Sequence, residues 1–261
     1  MTDPTVDTVS MARRALALLD LTDLSDTCTT TQIDALCRDA RAGGVAAICV
    51  WPQFVHQAAR VLTGGTVRIA TVINFPAGAE DVDRAVDDTA EALRDGAHEI
   101  DLVLPYKALL RGDSKTARLM VEAVREVCPK ACLKVILETG ELQTREAIAA
   151  ASRLALGAGA DFIKTSTGKS PVSATPAAAE TMLVAIREVG RGGLKVSGGL
   201  RTLADADGYL SLADRIMGPG WVSPATFRLG ASSLFGVLMA ARANAAPEDG
   251  APEDAAPKDE A

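Results

Sequence analysis

The chain has 261 residues and 22 glycines, with 48% hydrophobic but only 3% aromatic residues, so aliphatic side chains must fill one large α/β domain or two small ones. Its formal net charge is −7, of which the last stretch, APEDGAPEDAAPKDEA, supplies −5 through six carboxylates and one lysine. The remainder is close to neutral, so no basic face argues for a nucleic-acid partner.

The first predicted element is a helix over roughly residues 7 to 20, ahead of a second helix at 30 to 42. Its apolar run, MARRALALLDLT, is short and leads into Asp20 and Asp23 rather than into a cleavage-site pattern. No run elsewhere in the sequence is long enough to span a bilayer. We therefore expect a cytoplasmic protein without a membrane partner.

Eight strand-like runs follow along the chain. Strands are predicted at 46 to 52, 67 to 76, 99 to 105, 132 to 139, 161 to 167, 193 to 199, 214 to 218 and 227 to 232. Between them lie helical patterns with Asp or Thr near the start and Gly at the end, as helix caps require. The clearest of these patterns cover 79–97, 113–128, 144–160 and 175–190.

This alternation predicts right-handed βαβ crossovers and a parallel sheet. Eight such units close naturally into a (β/α)₈ TIM barrel of roughly 250 residues, with an open doubly wound sheet as the alternative. The barrel is favoured because no glycine-rich dinucleotide fingerprint follows the first strand. We assign residues 1–242 to one barrel domain with an extra N-terminal helix, and 243–261 to a disordered acidic tail poor in large apolar groups.

The cysteines are five in number and irregularly spaced, which argues against a disulfide framework and suits a reducing compartment. Two of them stand in the run CPKAC, but the chain has only two histidines and offers no evident metal-ligand set. We expect structural thiols, no metal and no other cofactor.

Barrel strands alternate one side chain toward the lumen and the next toward the helices, so an apolar row identifies the outward face. In EIDLVLP the outward row is Ile100, Leu102 and Leu104, which sends Asp101 inward. The same test on the next three predicted strands sends six further side chains inward: Lys134, Ile136, Glu138, Lys164, Lys195 and Ser197. Because these strands are neighbours, three lysines and one aspartate are expected in one sector of the lumen.

Clustered lysines in a partly dry cavity disfavour one another's charge, and desolvation acts in the same direction. At least one of them should have a lowered pKa and carry a free amine near neutral pH. A free amine attacks an aldehyde or ketone and forms a protonated Schiff base, which weakens the adjacent carbon-carbon bond. The competing interpretation is a buried ion-pair lattice in which Asp101 and Glu138 satisfy the lysines; three lysines on adjacent strands favour the chemical interpretation.

Small residues follow several strands at the edge where barrel enzymes carry out their chemistry. The runs SGGLR (197–201) and GASS (230–233) offer backbone N–H groups near helix starts, where phosphate binds. In TSTGK (165–169) a nucleotide phosphate loop is excluded, because position 163 is isoleucine rather than glycine. A phosphate site is predicted around the last strands, although such turns also occur for steric reasons alone.

Five strings in this order and spacing resemble the deoxyribose-phosphate aldolase family, and the similarity extends from about Ala15 to Leu238. They are EIDLVLPYKALLRGD, LKVILETGEL, ADFIKTSTGK, LKVSGGLRT and RLGASSL. The resemblance implies a class I aldolase on a (β/α)₈ barrel. Such an enzyme cleaves 2-deoxy-D-ribose 5-phosphate into acetaldehyde and D-glyceraldehyde 3-phosphate without a metal.

The resemblance also implies roles for individual residues of this chain. Lys164 would form the Schiff base, Lys195 would be the ammonium that lowers its pKa, and Asp101 would transfer protons with an ordered water. The phosphate would lie on Gly168, Lys169, Gly198, Gly199, Ser232 and Ser233. The other implied substrate-binding residues are Asp20, Thr22, Cys49, Lys134, Thr165 and Gly230.

One departure from the family concerns the C-terminus. Some members end in a tyrosine that assists proton transfer, whereas this chain ends APKDEA and has only Tyr106 and Tyr209.

Two other functions stay open: an isomerase or epimerase that uses acid-base chemistry alone, and a sugar-phosphate binder without catalysis. Phosphosugars and aldehydes are the expected partners, and the sequence leaves a monomer and a homodimer equally open.

Overall fold

The computed structural model describes residues 4–244, with side chains from residue 8 onward. The predicted acidic tail, 243–261, lies outside the described residues from 245 onward. Within the described range, parallel strands form a closed barrel in sequence order, and the first strand pairs with the last. The strands are β1 (Leu19–Asp23), β2 (Ala47–Val50), β3 (Arg68–Ile73), β4 (Glu99–Val103), β5 (Cys132–Ile136), β6 (Phe162–Lys164), β7 (Gly193–Ser197) and β8 (Phe227–Ala231).

Helices precede, connect and follow the strands, so the (β/α)₈ barrel with an extra N-terminal helix is confirmed. The helices are α1 (Pro4–Ala17), α2 (Thr30–Gly43), α3 (Val55–Leu62), α4 (Val82–Arg94), α5 (Tyr106–Leu110), α6 (Ser114–Val127), α7 (Thr139–Leu142), α8 (Arg145–Gly157), α9 (Pro176–Val189), α10 (Leu203–Met217) and α11 (Leu234–Ala243). The four long helical patterns predicted between 79 and 190 correspond to α4, α6, α8 and α9.

Capping side chains explain where these helices begin. The side chains that accept a hydrogen bond from a first-turn N–H are Thr29, Asp81, Asp113, Thr144, Thr175 and Thr202. Such caps satisfy donors that the first helical turn leaves unpaired. Helices α2 and α9 are followed by the C-cap residues Gly44 and Gly190, whose backbones are left-handed, as glycine allows.

The first barrel strand was not predicted, because the N-terminal helix was expected to continue to about residue 20. Helix α1 ends at Ala17 instead, and β1 begins at Leu19. In β1, Leu19 and Leu21 pack in the main core, whereas Asp20 is buried in the lumen. The period-2 pattern of a strand is therefore present. It is only five residues long and adjoins the apolar run of α1, which concealed it.

The strand predicted at 214–218 is wrong, since DRIM (214–217) is the last turn of α10 and Gly218 follows it. A capping box of Thr202 and Asp205 begins that helix. Buried Ala206, Leu210 and Ala213 follow at helical spacing. The two errors cancel in the strand count, so the first six predicted strands are β2 to β7 and the eighth is β8.

Register partners on neighbouring parallel strands share a face, and this places the key lysines together. Asp101 pairs in register with Lys134, and Lys164 with Lys195. On β2 and β3, Cys49, Ala70 and Val72 face the lumen and form a small apolar cluster with Leu24. The lumen thus has an apolar side at β2 and β3 and a charged side from β4 around to β1.

Candidate active site

A network of seven charged side chains fills the charged side of the lumen, and each is at most 6% exposed. We call it the lumen network: Asp20 on β1, Glu99 and Asp101 on β4, Lys134 on β5, Lys164 on β6, Lys195 on β7 and Arg228 on β8. Charges this deeply buried are tolerated only where partners compensate them. The pairing within the network therefore decides which group is left reactive.

Asp101 is the centre of the lumen network. Its Oδ2 accepts hydrogen bonds from Nζ of Lys164 at 2.8 Å and from Nζ of Lys195 at 2.7 Å. Its Oδ1 accepts one from Nζ of Lys134 at 2.8 Å. The three lysines and the aspartate that strand alternation placed in one sector are therefore in direct contact.

The rest of the network ties this centre to the N-terminal end of the barrel. Nη1 of Arg228 donates to Oδ1 of Asp20 at 2.6 Å, and Nη2 donates to Oε1 of Glu99 at 3.0 Å. The other oxygen of Asp20 lies 2.6 Å from Nζ of Lys195. The other oxygen of Glu99 lies 2.6 Å from Nζ of Lys134.

The charges of the network do not balance if every group is ionised, because three carboxylates face four basic groups. Within 4.0 Å, Lys134, Lys195 and Arg228 each contact at least two of these carboxylates. Among the described ion pairs, Lys164 has one, to Asp101. Lys164 is therefore the least compensated basic group of the network. With Lys164 neutral, the network would hold three positive and three negative charges.

The pKa shifts agree with this count. Burial lowers the pKa of Lys164, Asp101 opposes that effect, and the Lys195 ammonium lowers the pKa further. Burial also acts against the charge of Lys195, but Asp101 and Asp20 raise its pKa above the ordinary value. Although burial disfavours its carboxylate, the three lysines hold the pKa of Asp101 well below its usual range.

The pKa of Lys134 is likewise raised, because Asp101 and Glu99 outweigh the effect of its burial. The site thus combines one amine whose pKa is lowered with two lysines whose pKa values are raised and one carboxyl whose pKa is lowered. The direction for Lys164 agrees with the sequence-based prediction of at least one lysine with a lowered pKa, and a free amine near neutral pH stays a prediction. Burial is the larger cause of that lowering, and the neighbouring ammonium adds to it.

A cavity of about 670 Å³ opens at the C-terminal ends of the strands. Of the lumen network, only Lys164 lines it among the described residues. Lys164 is 3% exposed. Predicted site residues that also line the cavity are Thr22, Gly168, Lys169, Gly198, Gly199, Gly230, Ser232 and Ser233.

Four predicted site residues, Asp20, Asp101, Lys134 and Lys195, are fully buried behind Lys164. Two more lie away from the cavity wall. Cys49 is buried in the apolar cluster of β2 and β3, where burial raises the pKa of its thiol. The hydroxyl of Thr165 donates to the Ser197 carbonyl at 3.2 Å and accepts from the Ser197 N–H at 3.0 Å, bridging β6 and β7.

Two different structural constraints explain why glycine occupies these positions at the cavity. Gly168, Gly198 and Gly199 have φ of 80°, 90° and 85°, a region that favours glycine. At Gly230 a β-carbon would lie 2.1 Å from Oγ of Ser197 and 3.0 Å from Cε of Lys195. A residue with a side chain at 230 would therefore displace the Ser197 hydroxyl and press on the Lys195 side chain.

Lys169 reaches the cavity wall, but its ammonium is engaged elsewhere. Its Nζ lies 3.2 Å from Oδ1 of Asp26 and 5.9 Å from the centre of the Trp51 ring. The Lys169 side chain is one-third exposed, and that of Asp26 is 85% exposed. An exposed ion pair of this kind contributes little free energy, so it constrains the position of the Lys169 ammonium only weakly.

Glu138, predicted to face inward, organises the loop after β6 instead of pairing with a lysine. Its carboxylate accepts hydrogen bonds from the N–H and, at 2.5 Å, the hydroxyl of Thr167, and from the Ser170 hydroxyl at 3.0 Å. The Thr167 hydroxyl in turn accepts from the N–H of Lys169 at 3.0 Å. The loop that carries Gly168 is thereby fixed against the end of β5.

Sequence reasoning missed Glu99 and Arg228 as members of the site. The signal was present, since both lie on the lumen side of the alternation that identified Asp101 and Lys195. It also missed several residues of the cavity wall: Leu21, Asp23, Leu24, Ser25, Leu36, Asp39, Thr167 and Phe235. Four other wall residues, Ser197, Leu200, Arg201 and Ala231, lie within the predicted runs SGGLR and GASS. Neither Tyr106 nor Tyr209 lines the cavity.

Two further features concern the whole described range. Between residues 4 and 244, the helices are all too short or too polar to cross a bilayer. The same residues contain no group of three or more His, Cys, Asp and Glu side chains placed to hold a metal ion.

The fold and the site together define a (β/α)₈ barrel whose cavity opens over one weakly compensated lysine. The model of the DeoC/LacD family aldolases matches residues 12–218, and the chain belongs to this family. A curated relative, the deoxyribose-phosphate aldolase of Agrobacterium fabrum, is 49% identical over 242 residues, which cover 90% of this chain and 93% of that protein.

Solved structures agree with this assignment. A Coccidioides immitis protein provisionally assigned as a deoxyribose-phosphate aldolase is 33% identical with a TM-score of 0.80, covering 88% of this chain and 87% of that one. The apo form of a Toxoplasma gondii protein with the same provisional assignment is 26% identical with a TM-score of 0.85, covering 92% and 100%.

Proposed function

We propose that this protein is a class I aldolase that reversibly cleaves 2-deoxy-D-ribose 5-phosphate into acetaldehyde and D-glyceraldehyde 3-phosphate, with Lys164 as the Schiff-base nucleophile. One observation carries the assignment of Lys164. It is the member of the lumen network that reaches the cavity, and it has a single carboxylate partner. A buried amine with a lowered pKa is what imine formation with a carbonyl requires.

In the first step, the neutral Nζ of Lys164 adds to the C1 aldehyde of the open-chain sugar. The carbinolamine oxygen takes up a proton and leaves as water, which produces a protonated imine. Lys195, whose pKa is raised, is the ammonium beside this centre, and Asp101 connects it to Lys164. The positive imine replaces a neutral amine, and the Asp101 carboxylate next to it stabilises that new charge.

In the second step, the C3 hydroxyl loses its proton and the bond between C2 and C3 breaks. C3 becomes the aldehyde carbon of glyceraldehyde 3-phosphate, and the bonding electrons neutralise the imine to an enamine. The proton then returns to C2, and water hydrolyses the acetaldehyde imine to free Lys164. Asp101, with its hydrogen bonds to three lysines, is the group proposed to pass this proton.

The phosphate of the substrate is assigned to the glycine and serine loops at the cavity wall. Gly198 and Gly199 follow β7, and Ser232 and Ser233 precede helix α11. Backbone N–H groups at such turns and at a helix start favour an anion. A cavity of about 670 Å³ falls in the range typical of small-molecule sites.

A cytoplasmic location is also proposed, on the strength of the cysteines. All five are free thiols, and three of them are buried. Free thiols suit a reducing compartment.

Two assays separate this function from the alternatives. Borohydride reduction in the presence of acetaldehyde, followed by peptide mapping, should leave an ethyl group on Lys164. An isomerase that uses acid-base chemistry alone would give no lysine adduct. A coupled assay for glyceraldehyde 3-phosphate should detect cleavage of deoxyribose 5-phosphate, whereas a non-catalytic binder would show binding without product.

A further inference from the structure

An ion pair at the N-terminal end of the lumen lies outside the proposed chemistry. Glu99 is the first residue of β4 and Arg228 the second of β8, and they are 2% and 6% exposed. The guanidinium also lies 5.7 Å from the centre of the Phe162 ring. Neither Glu99 nor Arg228 lines the cavity, so the pair does not touch a substrate bound there.

The pair is nevertheless connected to Lys164 by short contacts. Arg228 donates to Asp20 at 2.6 Å, and Asp20 lies 2.6 Å from Lys195. Glu99 lies 2.6 Å from Lys134. Lys134 and Lys195 both donate to Asp101, which is also the partner of Lys164. The whole lattice therefore shares one buried charge balance.

That balance depends on both members of the pair. With Lys164 neutral, the positive charges of Lys134, Lys195 and Arg228 equal the negative charges of the three carboxylates. Loss of one charge at the far end leaves an excess that a buried site tolerates poorly. Lys164 has the fewest compensating contacts and reaches the cavity, so it is the group best placed to gain or lose a proton in response.

We propose that Glu99 and Arg228 are positioning residues whose opposite buried charges together set the pH at which Lys164 becomes the free amine that the aldolase reaction uses. The inference rests on the proposed function, which makes Lys164 the nucleophile. The titratable and charged groups that share the lumen with Lys164 are Asp20, Cys49, Glu99, Asp101, Cys132, Lys134, Lys195 and Arg228.

The two residues should act in opposite directions. Arg228→Met leaves an excess negative charge, so Lys164 should hold its proton to a pH about one unit higher than in the wild type. Glu99→Gln leaves an excess positive charge, so Lys164 should release its proton about one unit lower. In the double variant Glu99→Gln, Arg228→Met the balance returns, and the midpoint should come back toward that of the wild type.

The test measures the protonation of Lys164 directly in the full chain. Acetic anhydride labelling across a pH series, read by peptide mass spectrometry against the exposed Lys115, gives the pH at which half of Lys164 is a free amine. The pH dependence of kcat/KM for deoxyribose 5-phosphate cleavage is recorded on the same samples. Arg228→Lys, which keeps the positive charge, is the conservative control and should stay near the wild-type midpoint.

Opposite shifts in the single variants and recovery in the double variant support the proposal. Equal midpoints in the wild type, both single charge-removing variants and the double variant overturn it, as do shifts of the two single variants in the same direction. If Arg228→Met does not fold, Glu99→Gln, which is nearly isosteric, and the balanced double variant decide the question by the same criteria. Absence of cleavage by the wild type would reject the proposed function, whereas the labelling shifts report on the charge balance independently.

Discussion

Lys164 and Lys195 are register partners on adjacent strands, and both donate to the same carboxylate oxygen, Oδ2 of Asp101. Their two nitrogens can therefore be no farther apart than the sum of two hydrogen-bond lengths. The two lysines nevertheless differ in the number of carboxylates that they contact. Among the described residues, Lys195 has a second carboxylate, Asp20, and Lys164 does not, so the pKa of Lys195 is raised whereas that of Lys164 is lowered.

Replacement of the nucleophile should remove activity without loss of fold. Lys164→Leu is expected to lower kcat for cleavage by at least about 10³-fold and to abolish borohydride trapping. Folding lowers the pKa of Lys164, so its charge destabilises the fold at any pH below its ordinary pKa of about 10.4. The variant should therefore be as stable as the wild type at pH 7, or more so, in urea unfolding.

The matched control for that variant is Lys134→Leu. The pKa of Lys134 is raised, and its removal leaves Glu99 and Asp101 each without one buried partner. This control should lose about 3–5 kcal/mol of unfolding free energy. Equal stability losses in the two variants would contradict the different charge states assigned to these lysines.

Removal of the second ammonium should act through the protonation of the first. In Lys195→Leu, Asp20 and Asp101 lose a shared positive partner, so Lys164 should keep its proton at neutral pH. We expect kcat/KM at pH 7 to fall about 10²-fold or more, with partial recovery as the pH rises. Lys195→Arg, which retains the charge, should show a smaller loss and little change in the pH profile. Near-normal turnover by Lys195→Leu at pH 7 would remove the electrostatic role of Lys195.

Acid sensitivity should come from the buried carboxylates. Although burial raises the pKa of Asp20, Lys195 and Arg228 hold it below the ordinary value. A carboxyl with a lowered pKa in the folded state stabilises the fold fully above its unfolded pKa of about 3.9, and this stabilisation is lost as the pH falls toward the folded pKa. In urea unfolding between pH 5 and 2.5, the unfolding free energy of the wild type should decrease as the pH is lowered. The decrease should be steeper than in Asp20→Asn.

A surface carboxylate provides the comparison for Asp20. Glu80 pairs with Arg111 at 2.6 Å, and both side chains are more than 40% exposed. Glu80→Gln should change the unfolding free energy by less than about 1 kcal/mol and leave its slope with pH as in the wild type. If Asp20→Asn keeps the full wild-type slope as well, Asp20 does not contribute to acid sensitivity.

The phosphate assignment can be tested with two glycines that differ only in location. Gly199 at the cavity and Gly190 at the end of α9 have φ of 85° and 76°, and a β-carbon on either meets no atom within 4 Å. Alanine at either position should cost about 1–2 kcal/mol of stability through backbone strain. Only Gly199→Ala should raise KM for deoxyribose 5-phosphate several-fold. Equal KM values would move the phosphate away from this loop.

Period-2 alternation in the amino-acid sequence was sufficient to bring Asp101, Lys134, Lys164 and Lys195 together in one sector of the barrel. It works because register partners on parallel strands share a face and because the outward rows are strictly apolar. The fold class followed from the alternation of strands and helices. Among the strands, β1 was missed and the end of α10 was wrongly assigned as a strand, the former because it is short and adjoins an amphipathic helix.

Other parts of the site lie beyond such local patterns. The contact between Asp20 and Lys195 depends on closure of the barrel through β8 and β1. The hydrogen bonds of Glu138 to Thr167 depend on a left-handed backbone at residue 138, which glutamate rarely adopts. The engagement of Lys169 with Asp26 joins loops 143 residues apart in the sequence.

The most direct test of the account is a pH titration of acetaldehyde trapping on the wild-type chain, with every modified lysine mapped. The account predicts an adduct on Lys164 and not on Lys134 or Lys195, with a midpoint below the ordinary lysine pKa of about 10.4. An adduct on either of the other two lysines, or a midpoint at or above the ordinary value, would contradict it.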